Sequence, residues 1–307
     1  MAKEYTKQHI VPQSYLDRFG TKDKKKTNIG TRLNTGGEPK FFVASTDDVG
    51  YIKNYYDVTD KDDPKYWEKY FAREIDTICG QPMSNIITKI TLSRPNTIVL
   101  STQDKKVLSK LIVAQMMRVP EAIDYVKYKL YPKIAEQVKK EMLSSLPPVL
   151  VEKFRNQIME TDFTEQYRKE LMFNHFFDLE NFERYCEVLQ HGVWGIYVNT
   201  KRDIMPFMTS DNPVLVEGLG KDETGLFPNG LGSPTTCIFY PLSPEIALGI
   251  YSRYGMMGIV ADKYDGRKTM CSEIQFIVEK NVKIIAQAYQ HAFIPQPLYD
   301  ELSSKKI

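Results

Sequence analysis

At His191-Gly192 the hydrophobic period of the chain changes, and that change limits the fold class more than any motif does. Before it, apolar residues recur at helical spacing. Tyr66, Trp67, Tyr70, Phe71, Ile75 and Ile78 form one stripe, and Val107, Leu108, Leu111, Ile112, Met116 and Val119 form another. After it, Val193-Trp194-Gly195-Ile196-Tyr197-Val198 alternates as a strand does, and 204–209, 213–216, 235–241 and 245–251 read as further strands. Ile274, Ile277, Val278, Val282, Ile285, Ala288, Tyr289 and Ala292 predict a closing helix. At the other end, 27–33 and 39–44 flank Asn34-Thr35-Gly36-Gly37 and predict a hairpin, with 49–58 extended. The expectation is an α+β fold: an N-terminal β-hairpin region, a helical middle and a C-terminal antiparallel sheet with a terminal helix. Within one domain over 1–307, these parts span 1–60, 61–191 and 192–307.

Local signals place the helix ends. Asp63-Pro64 opens a helix that stops near Gly80, and another follows over 82–91. Ser101 with Asp104 has the spacing of a capping box. Pro120 ends the helix that follows and starts 121–143; 149–160, 163–175 and 179–190 are further helices. The Gly/Pro-containing stretch 218–234 reads as a long loop.

Charge and cysteine content narrow the function classes. The chain carries 41 Lys and Arg against 39 Asp and Glu, which argues against a polyanion-coating protein. Cys79, Cys186, Cys237 and Cys271 form no Cys-x-x-Cys element, so a zinc ribbon is not expected. MAKEYTKQH has no apolar core and reads as no signal peptide. No run of about eighteen apolar residues occurs, so no membrane partner is expected and a cytoplasmic location is. P-loop, Gly-x-Gly-x-x-Gly, Gly-x-Ser-x-Gly and His-Glu-x-x-His patterns are absent.

Four short elements concentrate polar groups. In KQHIVPQSYLDRFG, His9 can move a proton near neutral pH or bind a metal, and Arg18 can fork onto a phosphate. The same residues also suit the docking of a terminal segment. Glu74 in FAREIDTIC needs a cationic partner if it turns inward; otherwise it belongs to a solvated face. Gln115 lies beside an apolar stripe and Arg118 near a helix C-terminus, where it complements the dipole or shares a polar pocket with Gln115. Ser210-Asp211-Asn212-Pro213 is a natural turn, yet Asp211 also suits a general base or metal ligand and Asn212 a polarising donor.

QHIVPQSYLDRF resembles the opening of the bacterial family catalogued as domain of unknown function 4238. Gln115 with Arg118 and Pro120, Trp194, Phe207 to Pro213, and Tyr240-Pro241-Leu242-Ser243-Pro244 extend the likeness in order along the chain. Ile10 stands where the family has an aromatic residue. The resemblance implies one fold over the whole length and places His9, Arg118 and Asp211 in the family signature.

If the opening block docks onto the helical middle and the Asp-Asn-Pro turn, His9, Glu74, Gln115, Arg118, Ser210 and Asp211 line one polar cleft. Two functions compete for it. One is a hydrolase of a phosphodiester or nucleotide, with His9 as acid/base or metal ligand, Asp211 and Glu74 as base or as ligands to a divalent metal, and Arg18 and Arg118 against phosphate. On this reading a nucleotide or nucleic acid is the partner. The other is a non-catalytic binding protein for an anionic ligand or a protein partner, with the polar signature serving structure.

Overall fold

A computed structural model of the chain describes residues 6–34, 36–58, 61–125, 128, 131–161, 173–174, 177–218 and 230–305. Among these residues the fold is α+β, as the period change implies.

Near the N-terminus, β1 (Lys7–His9) leads through Pro12 into the short helix α1 (Gln13–Leu16) and then β2 (Thr21–Asp23). The expected hairpin forms from β3 (Lys26–Leu33) and β4 (Lys40–Ser45), paired antiparallel from Leu33↔Lys40 to Asn28↔Ser45. The extended segment is shorter than its sequence suggests: β5 (Tyr51–Lys53) pairs with β1, and Asn54 turns the chain with φ +52°.

The helical middle begins with α2 (Tyr66–Tyr70), which widens into a π turn over Phe71–Ile75 and tightens into a 3₁₀ turn over Asp76–Cys79. Next come α3 (Gln81–Leu92), α4 (Thr102–Met117), α5 (Pro120–Tyr125), α6 (Tyr131–Ser145), α7 (Pro148–Glu160) and α8 (Leu179–Gln190). Both capping-box bonds at Ser101 and Asp104 are present. From Leu108 to Met117 every residue but Lys110 of α4 is buried, because helices and sheet surround it. Each such large apolar side chain contributes about 1.5–3 kcal/mol of burial. The expected helix over 163–175 lies outside the described residues apart from Phe173 and Asn174, and so does most of the 218–234 loop.

Two five-stranded sheets complete the fold. The first has the order β11-β6-β10-β9-β8, from β6 (Val193–Asn199), β8 (Leu215–Glu217), β9 (Cys237–Pro241), β10 (Ile246–Tyr251) and β11 (Arg267–Cys271). It is mixed rather than purely antiparallel, since β11 runs parallel to β6. Two short helices, α9 (Met256–Ile259) and α10 (Ala261–Tyr264), lie in the crossover between β10 and β11.

The second sheet joins the chain's two ends. β12 (His291–Ile294) pairs with β3 on one side and β7 (Thr209–Ser210) on the other. The expected strand over 204–209 is thus a turn followed by a two-residue strand in this second sheet. The single helix expected through Ala292 ends as α11 (Ile274–Ala286); Ala292 belongs to β12, and the terminal helix is α12 (Gln296–Lys305).

A candidate polar clasp around Arg118 and Asp211

The opening block docks through its aromatics. Tyr15 is fully buried and stacks on Tyr240, with ring centroids 5.4 Å apart. Its hydroxyl donates to the Pro241 carbonyl at 2.7 Å and shares a 2.8 Å hydrogen bond with Thr209 Oγ1. That contact ties α1 to the strand entering the Ser-Asp-Asn-Pro turn. Gly50, with φ +66°, lets the backbone pass Leu16 at a distance where a Cβ would sit 3.0 Å from its methyl.

His9, Gln115 and Arg118 come together, and Asp76 joins them. The Arg118 guanidinium is fully buried. It donates to Asp76 Oδ1 at 2.8 Å and to Gln115 Oε1 at 3.0 and 3.3 Å, and lies 5.4 Å from the Phe71 ring centroid. Gln115 Nε2 in turn donates to the Ile10 carbonyl at 2.8 Å, so the helix residue holds the docked segment by its backbone. Burial opposes the charge on Arg118, but Asp76 and Tyr56 more than offset it and its pKa is raised.

His9 sits at the edge of this cluster. Burial, the largest influence, lowers its pKa, against the opposing pull of the Thr46 backbone and of Asp76 and Asp47. Its Nε2 is buried without a hydrogen-bond partner. Glu68 is half-buried, and burial together with the nearby Asp76 pushes its carboxyl up to about 7. The sequence reading passed over both Glu68 and Asp76.

Glu74 and Arg18 lie elsewhere. Glu74 is exposed and pairs with Arg73 at 2.7 Å. Arg18 Nη2 donates to the carbonyls of Cys79 and Gly80 at 2.6 and 3.1 Å and to Ser84 Oγ at 3.0 Å, where it closes the end of the 3₁₀ turn.

The Ser-Asp-Asn-Pro turn forms a second cluster. Asp211 is buried, and its carboxylate accepts from the backbone amides of Tyr289, Gln290 and His291 at 2.8, 2.7 and 2.8 Å. Ser210 Oγ donates to the Asn212 carbonyl at 2.8 Å, and Asn212 Nδ2 donates to the Gln287 carbonyl at 3.3 Å. The turn therefore holds the link between α11 and β12. Its near charged neighbour is Glu121, whose carboxyl is pushed up to about 7 by burial first and then, against its own backbone amide, by Asp211 and Asp124. So the structure brings His9, Gln115 and Arg118 into one cluster and Ser210, Asp211 and Asn212 into another. Among the described residues no group of three or more His, Cys, Asp or Glu side chains is placed to hold a metal ion.

The model of the family described as "Protein of unknown function (DUF4238)" matches residues 7–290, nearly the whole chain. The chain belongs to the DUF4238 family. No curated protein and no solved structure matches it. In this DUF4238 chain the matched stretch runs from the start of β1 to the residue before β12, so it contains both polar clusters apart from the His291 amide. No helix among the described residues is long and apolar enough to cross a membrane.

Proposed function

We propose that this DUF4238 protein is a non-catalytic binding protein whose polar signature serves structure. One observation carries the reading: Arg118, Arg18 and Asp211, three of the groups suited to substrate chemistry, are already bonded inside the protein. Arg118 gives its donors to Asp76 and Gln115, Arg18 binds two backbone carbonyls and a serine, and Asp211 accepts three backbone amides. A phosphoryl-transfer site needs cations free to meet developing charge, and Arg118, bonded through all three of its nitrogens, is not free in this way.

The test uses the intact chain with a nucleotide and with an activated phosphodiester, with and without Mg²⁺ or Mn²⁺. The expected result is no turnover above the blank, together with a lowered melting temperature in Asp211→Ala. Turnover that disappears in Asp211→Asn with the fold intact overturns the proposal.

A second reading keeps the hydrolase of a phosphodiester or nucleotide, but as metal-independent acid–base chemistry at His9 and Glu68. It draws on the unpartnered His9 Nε2 and on the Glu68 carboxyl poised near neutral pH. A bell-shaped activity profile that loses one limb in Glu68→Gln is the result it expects; a flat absence of activity removes it.

A further inference from the structure

β4 forms one border of the second sheet. It pairs with β3 over its whole length, and among the described residues no other strand pairs with it. Alternate residues of an edge strand turn their N–H and C=O groups outward, where they template a further strand. Proteins usually blunt such an edge with a proline, a bulge or a charge in mid-strand. Lys40-Phe41-Phe42-Val43-Ala44-Ser45 has none of these: its register with β3 is continuous, and its one charge, Lys40, stands at the end.

Both faces of the strand already have neighbours. Phe41 packs on Tyr299 of α12, with ring centroids 6.4 Å apart, and Ala44 packs against the main core. The side chains left bare are Phe42 and Val43, 36 and 48% exposed. Adjacent residues of a strand point to opposite faces. A partner lying on one face therefore covers one of the two, whereas a strand laid along the border covers both. The charges at the ends differ in sign: Lys40 is exposed where the strand starts, and Asp47 is exposed just past its end. Asp48 is already held by Lys7, and Glu38 lies in the loop before the strand.

We propose that β4 pairs antiparallel with β4 of a second copy of the chain, about a two-fold axis at Phe42. A two-fold axis that sets strands antiparallel stands perpendicular to the sheet and keeps each face, so it passes through a residue position. With the axis at Phe42, that ring meets its own counterpart, and Val43 meets the partner's Phe41. Aromatic and aromatic–β-branched pairs of this kind stabilise sheets. With the axis at Val43, Phe42 meets only the partner's Ala44. Antiparallel pairing also brings each Lys40 toward the partner's Asp47, and the patch closes on itself as a two-fold dimer must. One strand per copy is a small interface beside the roughly 1,200–2,000 Å² of a stable complex, so the dimer dissociates on dilution. The border shares no residue with either polar cluster, and the inference stands apart from the binding role above.

The experiment is analytical ultracentrifugation of the full chain from about 1 to about 100 μM. A monomer–dimer equilibrium is expected. Phe42→Lys sets like charges opposite each other across the axis and is expected to weaken the dimer at least about tenfold. The register is read by mild oxidation of cysteine variants. Phe42→Cys is expected to cross-link two copies, because residue 42 faces itself. Lys40→Cys is expected not to, because residue 40 faces residue 44 and lies about 13 Å along the strand from its counterpart, beyond the reach of a disulfide. The second variant also controls for cross-links through the native cysteines. A protein that stays monomeric up to about 100 μM, a dimer that Phe42→Lys leaves unchanged, or equal cross-linking of the two cysteine variants would each overturn the assignment. The cysteine pair decides the matter even if Phe42→Lys fails to fold.

Discussion

Arg118 meets Asp76, and not Glu74, across a 2.8 Å ion pair. The cause is local. On a straight helix advancing about 100° per residue, Glu74 points about 60° from Phe71 and Asp76 about 140° from it. With Phe71, Ile75 and Ile78 in the core, Glu74 then faces inward and Asp76 outward. The π turn over Phe71–Ile75 and the 3₁₀ turn after it rewind the backbone and exchange those positions. Such interruptions are often found where a side chain has to be re-aimed.

Removing Asp76 leaves a fully buried guanidinium without its counter-ion. Asp76→Asn is therefore expected to cost about 3 kcal/mol in chemical denaturation, the scale for breaking a buried pair from one side. Glu74→Gln, at an exposed position paired with its neighbour, is expected to stay within about 0.5 kcal/mol. Equal effects of the two changes would contradict the assignment of Asp76.

Asp211 is expected to matter for stability more than any other residue of its turn. Asp211→Ala leaves three backbone amides short of their acceptor, at about 1–3 kcal/mol each. Asp211→Asn keeps one acceptor oxygen and should fall between wild type and alanine. Hydrogen exchange at residues 289–291 reports the effect locally, and unchanged protection there in Asp211→Ala would refute it.

Tyr15→Phe keeps the stacking on Tyr240 and removes the hydroxyl that reaches Thr209 and Pro241. A loss of about 1–2 kcal/mol is expected, the scale of buried hydrogen bonds with one partner deleted. The measurement is the denaturation midpoint at constant slope; a neutral outcome would mean that packing alone docks the opening block.

Glu68 and Glu121 carry raised carboxyl pKa values, so their protonated forms are favoured in the folded state. Each contributes stability that is full below its ordinary value of 4.5 and is lost as pH rises through about 7. His9 works in the opposite sense: its pKa is lowered from 6.5, so its contribution is present above that value and lost as pH falls through the folded-state pKa. Difference curves separate them. Glu68→Gln minus wild type should rise between pH 4.5 and about 7 and be flat below; a difference independent of pH would show that Glu68 titrates normally.

Much of the local structure was legible. The β3–β4 hairpin, β6 and the Ser101–Asp104 capping box stand where spacing alone puts them, because each depends on residues adjacent in the chain. The docking of the opening block and the turn-forming use of Ser210 to Asn212 were among the alternatives that residue type suggests, although docking was anchored there on His9 and Arg18 and the structure anchors it through Tyr15. β11 and β12 were less legible. β11 follows a crossover with little alternation, and β12 continues an apolar stripe whose helical spacing hides the break at Gln287–Gln290.

By itself, then, the sequence determined the α+β class, the change from helical to strand periodicity and most helix starts, since short-range sterics, caps and periodic burial set these. Tertiary structure alone decided which polar groups meet. Whether Asp76 or Glu74 faces Arg118 depends on a one-residue widening of a helix, and whether Asp211 meets solvent or three amides depends on where the far end of the chain returns. Burial then fixes which charges must be paired, and residue spacing carries no record of it.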